Sequence, residues 1–457
     1  MSAFELRDLE LCFEGAVPAV IATSDAEGTP NVTYLSCVRS VDNERVALSN
    51  QFFSKTARNL AENPRASLLV VEPTTYQQFR LTLQYERTER RGPVFERLRA
   101  DVEAVAALQG MQDVFKLRAA DIYRVLAIDE VFGASGPAAP AARSTAERPV
   151  GGPEQLAELS ARLGRCTDLD AIVANTVDGL AQLLGYAHSL LLLLDEEGKS
   201  LYTIASHGYP AEGIGSEVVV GEGIIGMAAA RGAAIRIGNL RQMEKYSRTI
   251  RRAYEEHDEI APGREIPVPG LPSAESRVAV PALALGQLVG VLMVESTERV
   301  AFNAADEATL TVVAAIVGNA IEAERLREST DDAGATGPDR ATEAAAGSTP
   351  TTHVRFFAVD GSTFLDDDYL IKGVAGRVLW SLLGHYARDG RTSFTNKEVR
   401  LDPSLELPDF RDNLDSRLIL LKRRLDERAA PIRIEKTGRG RFRLVVDGPL
   451  RLDAVGG

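Results

Sequence analysis

The run Val46-Ala47-Leu48-Ser49-Asn50-Gln51-Phe52-Phe53-Ser54-Lys55-Thr56-Ala57-Arg58-Asn59-Leu60 decides how the first third of the chain reads. An apolar strand enters a polar turn, and a helix begins directly behind it. Asn63-Pro64 stops that helix, because the residue before a proline is pushed out of the helical region. A helix start carries unpaired N–H groups and the positive end of the peptide dipole. Hydroxyls and one cation, Lys55, stand at that end, a combination suited to an anion such as a phosphate group.

Outward from this run, residues 1–133 read as mostly strand. Ala16–Thr23 and Asn31–Val41 are joined across Asp25-Ala26-Glu27-Gly28, and Arg45–Ser49, Ala66–Val71 and Phe79–Arg87 follow. Val94–Leu108 has helical spacing, and Asp121–Ile128 is expected as the closing strand of a small closed barrel. Tyr34–Arg65 and Gln78-Phe79-Arg80-Leu81 resemble the pyridoxamine 5′-phosphate oxidase-like, FMN-binding split barrels. The resemblance implies a flavin phosphate held by Ser54, with Lys55 in an arginine place and Thr56 in a lysine place. It further implies contacts from Ser49, Asn50 and Arg80, with FMN, another flavin or haem as the group held. Arg87, Arg90 and Arg91 alternate with Thr88 and Glu89 and read as a solvated strand end rather than a substrate-phosphate cluster.

The whole chain sets bounds. Its 457 residues suggest about three domains. A formal charge of -13 excludes indiscriminate binding to nucleic acid or anionic membrane, though not one basic domain. Cys12, Cys37 and Cys166 are scattered without metal-type spacing, as a reducing cytoplasm allows. No signal-peptide pattern and no run of roughly 20 apolar residues is evident, so a cytoplasmic protein away from membranes is expected. Residues 134–152 and 327–352 lack apolar periodicity and read as linkers, the second disordered.

Residues 153–326 begin with a helical stripe of Leu169, Ile172, Val173, Thr176, Val177, Leu180 and Leu184. Two hairpins follow, one across Asp195–Lys199 and one across a glycine-led Gly286-Gln287 turn. Asn303 caps a last helix, with Asp306 at its third position. The pattern is an α+β sandwich. Tyr202–Tyr209, Gly221–Gly226 and Leu288–Glu295 resemble the GAF sensory family, which implies a small-molecule ligand whose identity stays open. Gly221–Gly226 reads as a tight turn at a helix start, since no Lys-Ser or Lys-Thr pair follows. His207 reads as a strand-end residue. Arg248, Arg251 and Arg252 near Tyr246 read as a lid or a solvated helix face.

Residues 353–457 read as a hairpin, three helices and a second hairpin. Leu414–Leu425 resembles the recognition helix of winged-helix DNA-binding domains that end many response regulators, and Thr437–Leu444 resembles their wing. From Arg411 to Leu444 the net charge is roughly +6 on an otherwise acidic chain. With Leu414, Leu418, Leu421 and Leu425 buried, Arg411, Ser416, Ile419, Lys422 and Arg423 are expected to project toward a major groove. Arg439 and Arg441 on the wing would reach adjacent phosphates. Asp412, Asp415, Asp426 and Glu427 keep a protein-binding adaptor open as the alternative.

The fold class expected is therefore multidomain: β split barrel, α+β GAF domain, winged helix-turn-helix. The function expected is a homodimeric one-component regulator that senses a flavin, redox or small-molecule signal and acts on DNA. A flavin-dependent oxidoreductase with regulatory domains is the rival reading.

Overall fold

The computed structural model describes residues 4–13, 17–35, 37–50, 54–73, 75–107, 117–132, 152–209, 213–238, 270–271, 273–331, 351–366, 368–405, 414–438 and 440–455. The expected lid at Arg248, Arg251 and Arg252 lies outside them, as do Arg411 and Arg439.

A short 3-10 turn at Leu6–Phe13 precedes the first sheet. Its strands are β1 (Ala19–Ser24), β2 (Pro30–Leu35), β3 (Val38–Ser40), β4 (Arg45–Asn50), β5 (Arg65–Val71), β6 (Gln78–Glu89) and β7 (Ala119–Phe132). Helix α1 (Ser54–Glu62) follows β4, and α2 (Pro93–Ala107) joins β6 to β7. The seven strands run β2-β1-β5-β6-β7-β4-β3. The expected Asn31–Val41 strand is thus two strands, broken near Cys37, and they form the two edges of the sheet. Strict alternation in β1 and β5 sends Ile21, Leu68 and Val70 inward with Leu35, Leu48, Leu81 and Leu83, as period-two packing requires.

The middle domain opens with a helix not anticipated from its sequence, α3 (Pro153–Gly164), which Pro153 starts at its first position. Then come α4 (Leu169–Gln182), capped by the Asp168 carboxylate on the Ala171 N–H, β8 (Ser189–Leu194), β9 (Ser200–His207) and β10 (Glu217–Val219). Next are α5 (Gly223–Arg231), β11 (Ile235–Ile237), β12 (Ser276–Ala284), β13 (Gln287–Ser296) and α6 (Ala304–Asp331). The antiparallel sheet runs β10-β9-β8-β13-β12-β11, with α3, α4 and α6 covering one face and α5 the other. Asn303 and Asp306 bond reciprocally at the start of α6. The helix continues past the expected boundary at residue 326.

Helix α6 also corrects the reading on apolar runs. An 18-residue window within its Ala304–Arg327 segment has mean hydropathy 1.3, so the helix is long and apolar enough to cross a membrane by length and composition, and 39% of that window is buried. In the structure its Leu310, Val313, Ala314, Val317 and Ile321 pack into the core on β12 and β13.

The last domain comprises β14 (Thr352–Phe357), β15 (Ser362–Leu365), β16 (Asp368–Ile371), α7 (Gly373–Asp389), β17 (Ser393–Thr395), α8 (Asn396–Arg400), α9 (Leu414–Glu427), β18 (Ile432–Gly438), β19 (Arg441–Val446) and β20 (Leu450–Val455). β14–β16 form a sheet that β20 completes by pairing parallel to β14, a strand absent from the sequence reading. Trp380 of α7 stacks on Phe356 of β14 at 5.0 Å. The leucine stripe of α9 is buried as its spacing requires, joined by Leu420 and by Arg424, which donates to the Leu370 carbonyl. β18 and β19 form the hairpin beside β17.

Candidate functional site

Two places bring together residues singled out in the sequence. The first is the end of β4 and the start of α1. Ser49 is 1% exposed, and its hydroxyl accepts from the Cys37 N–H at 3.1 Å. Asn50 donates to Asp121 on β7 at 2.9 Å. Burial pushes the Asp121 carboxyl up, while hydrogen bonds from Thr88 and Asn50 and the charge of Arg90 work the other way. Asp121 therefore orients Asn50 and was missed in the sequence, because a lone acid in a strand carries no motif. Ser54 opens α1.

Lys55 is exposed at the α1 start. Thr56 departs from the expectation of a ligand-facing residue: it is 3% exposed and its hydroxyl accepts from Asn31 at 3.0 Å. Arg80 also departs from it. The side chain pairs with Asp129 at 3.1 Å, half exposed. Asp129 and Ala120, the strand partner of Ser49, are nine residues apart on β7, roughly 30 Å of strand. Within one chain, Arg80 and the α1 start do not converge on one phosphate.

The second place is α9, whose outer face meets the middle domain. Ser416, expected to face a groove, is 1% exposed and receives a hydrogen bond from the Tyr202 hydroxyl at 2.8 Å. The Arg417 guanidinium lies 4.2 Å from the centre of the Tyr202 ring and makes a two-point ion pair with Glu196. Arg423 donates to Asp170 at 2.9 Å and to the Ile204 carbonyl at 3.0 Å, and Lys422 reaches Asp170 at 3.3 Å. Ile419 packs against the shared apolar core. Lys436 of β18 pairs with Asp168 at 3.0 Å, and Lys372 with Glu217 at 3.1 Å. Arg441, on the opposite hairpin strand, is exposed and stands at the mouth of a cleft of about 70 Å³ between the two domains.

Charges are shifted accordingly. Burial works to raise the Glu196 carboxyl, but the hydrogen bond and charge of Arg417 hold it below the usual carboxylate range. Asp170 is likewise held low against burial, by Arg423 and then Lys422. Arg417, Glu196 and Tyr202 were not singled out in the sequence. Tyr202 and Ser416 are 214 residues apart in the chain and Glu196 and Arg417 are 221 apart, beyond the reach of local spacing.

In the middle domain Leu190, Leu192, Ile224, Ala279 and Met293 pack as an apolar core between α5 and the sheet. Gly221–Gly226 is a tight turn: the Gly221 N–H donates to the Gly226 carbonyl at 2.8 Å, and a Cβ on Gly226 would stand 2.2 Å from the Val219 carbonyl oxygen. His207 sits at the end of β9, 3.7 Å from Asp178. Burial pushes the Cys12 thiol up to about 12 and raises Cys37 and Cys166 also, so none is poised as a thiolate at neutral pH. Among the described residues no group of three or more His, Cys, Asp or Glu could hold a metal ion.

Residues 8–126 match the family described as pyridoxamine 5′-phosphate oxidase, and residues 166–322 match the GAF domain. The chain joins a split-barrel-like sheet to a GAF domain. Comparison with curated proteins gives no match. Among solved structures, the GAF domain of an Acinetobacter phosphoenolpyruvate-protein phosphotransferase is 20% identical over 38% of this chain and 93% of its own, with a TM-score of 0.31. Free methionine-R-sulfoxide reductase from Neisseria meningitidis, in complex with its substrate, is 24% identical over 38% of this chain and 90% of its own, TM-score 0.29. An FMN-binding protein from Syntrophomonas wolfei is 15% identical over 28% and 90%, TM-score 0.23.

Proposed function

We propose that this chain is a cytoplasmic signalling regulator. Its split-barrel sheet and GAF domain receive a flavin, redox or small-molecule signal, and its last domain acts as a winged-helix output on DNA. The observation that carries the reading is the contact of α9 with the GAF sheet. A domain that senses and a basic helix that could act share one interface, through Tyr202–Ser416, Arg417–Glu196 and Arg423–Asp170. A ligand that changes the GAF sheet therefore has a direct path to α9, and coupling between the two is reciprocal.

The order of elements in the last domain supports a winged-helix output: three helices, then the β18–β19 hairpin, with α9 carrying cations outside its leucine stripe. In the barrel, flavin is the group that Lys55 and the Asp121-held Asn50 fit best by chemistry, the buried Ser49 hydroxyl being taken up by the Cys37 N–H. Lys55 and the α1 N–H groups would meet the phosphate, while Asn50 and the backbone of β4 would meet the polar edge of the ring. The flavin would supply the redox chemistry. Arg80 would serve such a ligand only from the other copy of a homodimer. The exposed Val32 and Tyr34 on edge strand β2 are apolar surface suited to such a pairing.

The test is a visible spectrum of the purified protein, with and without added FMN, followed by anisotropy titration of a labelled random-sequence duplex. A flavin spectrum that Lys55→Glu removes, together with salt-dependent duplex binding that Arg441→Glu weakens, is the expected result. A protein that stays colourless with FMN and that, even with Glu196→Gln, ignores DNA at low salt would reject the reading.

A further inference from the structure

We infer that the GAF domain locks the output helix, so that the conformation described here is the closed state of a switch. The inference rests on the DNA-output reading for its consequence but not for its geometry. Each cation of α9 expected to serve a nucleic acid, among the described residues, is instead turned to the GAF domain. Lys422 and Arg423 share Asp170, and Ser416 is buried under Tyr202. Arg417 is clamped from two sides, by the Glu196 carboxylate and by the Tyr202 ring. Arg417 and Glu196 have side chains only 12% and 10% exposed.

The GAF side of this contact imitates what a duplex would offer. Glu196, Asp170 and Asp168 present three anionic groups to one face of α9 and the adjoining β18, as successive phosphates would. The bidentate Arg417–Glu196 fork is the geometry guanidinium groups also use on phosphate. One side-chain set cannot serve both partners at once. GAF domain and duplex are therefore competitors for α9, and the closed state reduces apparent DNA affinity by its share of the population.

The lock is built asymmetrically. Its acids are all on the GAF side, on α4 and on the β8–β9 turn, so they can be removed without touching α9.

The test uses the full-length protein and the double variant Glu196→Gln, Asp170→Asn. Neutralising Glu196 leaves Arg417 buried without its counter-charge, which makes the closed contact costly. Hydrogen–deuterium exchange is read on α9 and β9, and a labelled random-sequence duplex is titrated by anisotropy. The expected result is exchange on both segments faster by at least tenfold, β12 and β13 staying protected, and duplex binding at least tenfold tighter. Faster exchange without any duplex binding would sustain the lock and reject DNA as the partner. Unchanged exchange on α9 would overturn the lock, whatever the duplex does. If the double variant does not fold, Tyr202→Phe and Glu196→Gln are measured singly; failure of both to speed α9 exchange overturns it equally.

Discussion

Leu285 is an exposed leucine held in the left-handed region, at φ 50°, with Gly286 beside it at φ 78°. Two consecutive left-handed residues make a type I′ hairpin turn, the form that matches strand twist and prefers Asn-Gly. The sequence reading placed the turn one residue later, at Gly286-Gln287, because glycine marked the site and leucine did not. Ala284 in fact pairs with Gln287. Leu285→Asn is expected to stabilise the protein by about 1 kcal/mol, read as a higher urea midpoint with unchanged slope. Thr56 gives the opposite case. The family pattern suggests a lysine there, yet the side chain points into the barrel against Asn31. Thr56→Lys is expected to cost about 3 kcal/mol by burying an unpaired charge, as thermal denaturation would report, and under the proposed flavin role to weaken rather than strengthen binding of added FMN.

At the scale of elements, what was legible followed periodicity. The α9 leucines and the α4 stripe repeat every three or four residues and are buried as that repeat demands. β8 was legible instead as an unbroken apolar run, buried on both faces, followed by a turn of acids and glycine before β9. Two elements were missed: α3, although Leu156, Leu159 and Leu163 form a short helical stripe, and β20, which is paired to β14 across the whole last domain. Site residues divide in the same way. Lys55 and Asn50 were legible from the strand–turn–helix run, whereas Asp121 and Glu196 act through partners distant in sequence. Leu421 is fully buried at the junction of α9 with α7 and the shared core. Leu421→Ala is expected to cost about 2–5 kcal/mol, with loss of Trp380 near-ultraviolet signal before the GAF domain melts.

At the scale of the molecule, the contact between the second and third domains depends on charge and therefore on pH. Glu196 and Asp170 have folded values below their ordinary 4.5 and 3.8. Groups depressed in this way contribute stability that is fully present above the ordinary values and lost as pH falls through the folded ones. The closed arrangement is accordingly expected to hold at neutral pH and open in acid below about pH 4. Trp380 is the single tryptophan and lies in the third domain, so its fluorescence anisotropy reports that domain's tumbling. A fall in anisotropy on acidification, at pH values where circular dichroism is unchanged, is the expected outcome. An anisotropy that tracks only global unfolding would refute it.

The parallel ladder of β14 with β20, from Thr352 beside Leu450 to Phe357 beside Val455, joins the two ends of the third domain side by side. Tension applied between the preceding segment and a handle after β20 would pull these strands past one another lengthwise. All rungs of the ladder would then bear the load together instead of parting one at a time. The third domain is thus built to resist stretching as a unit.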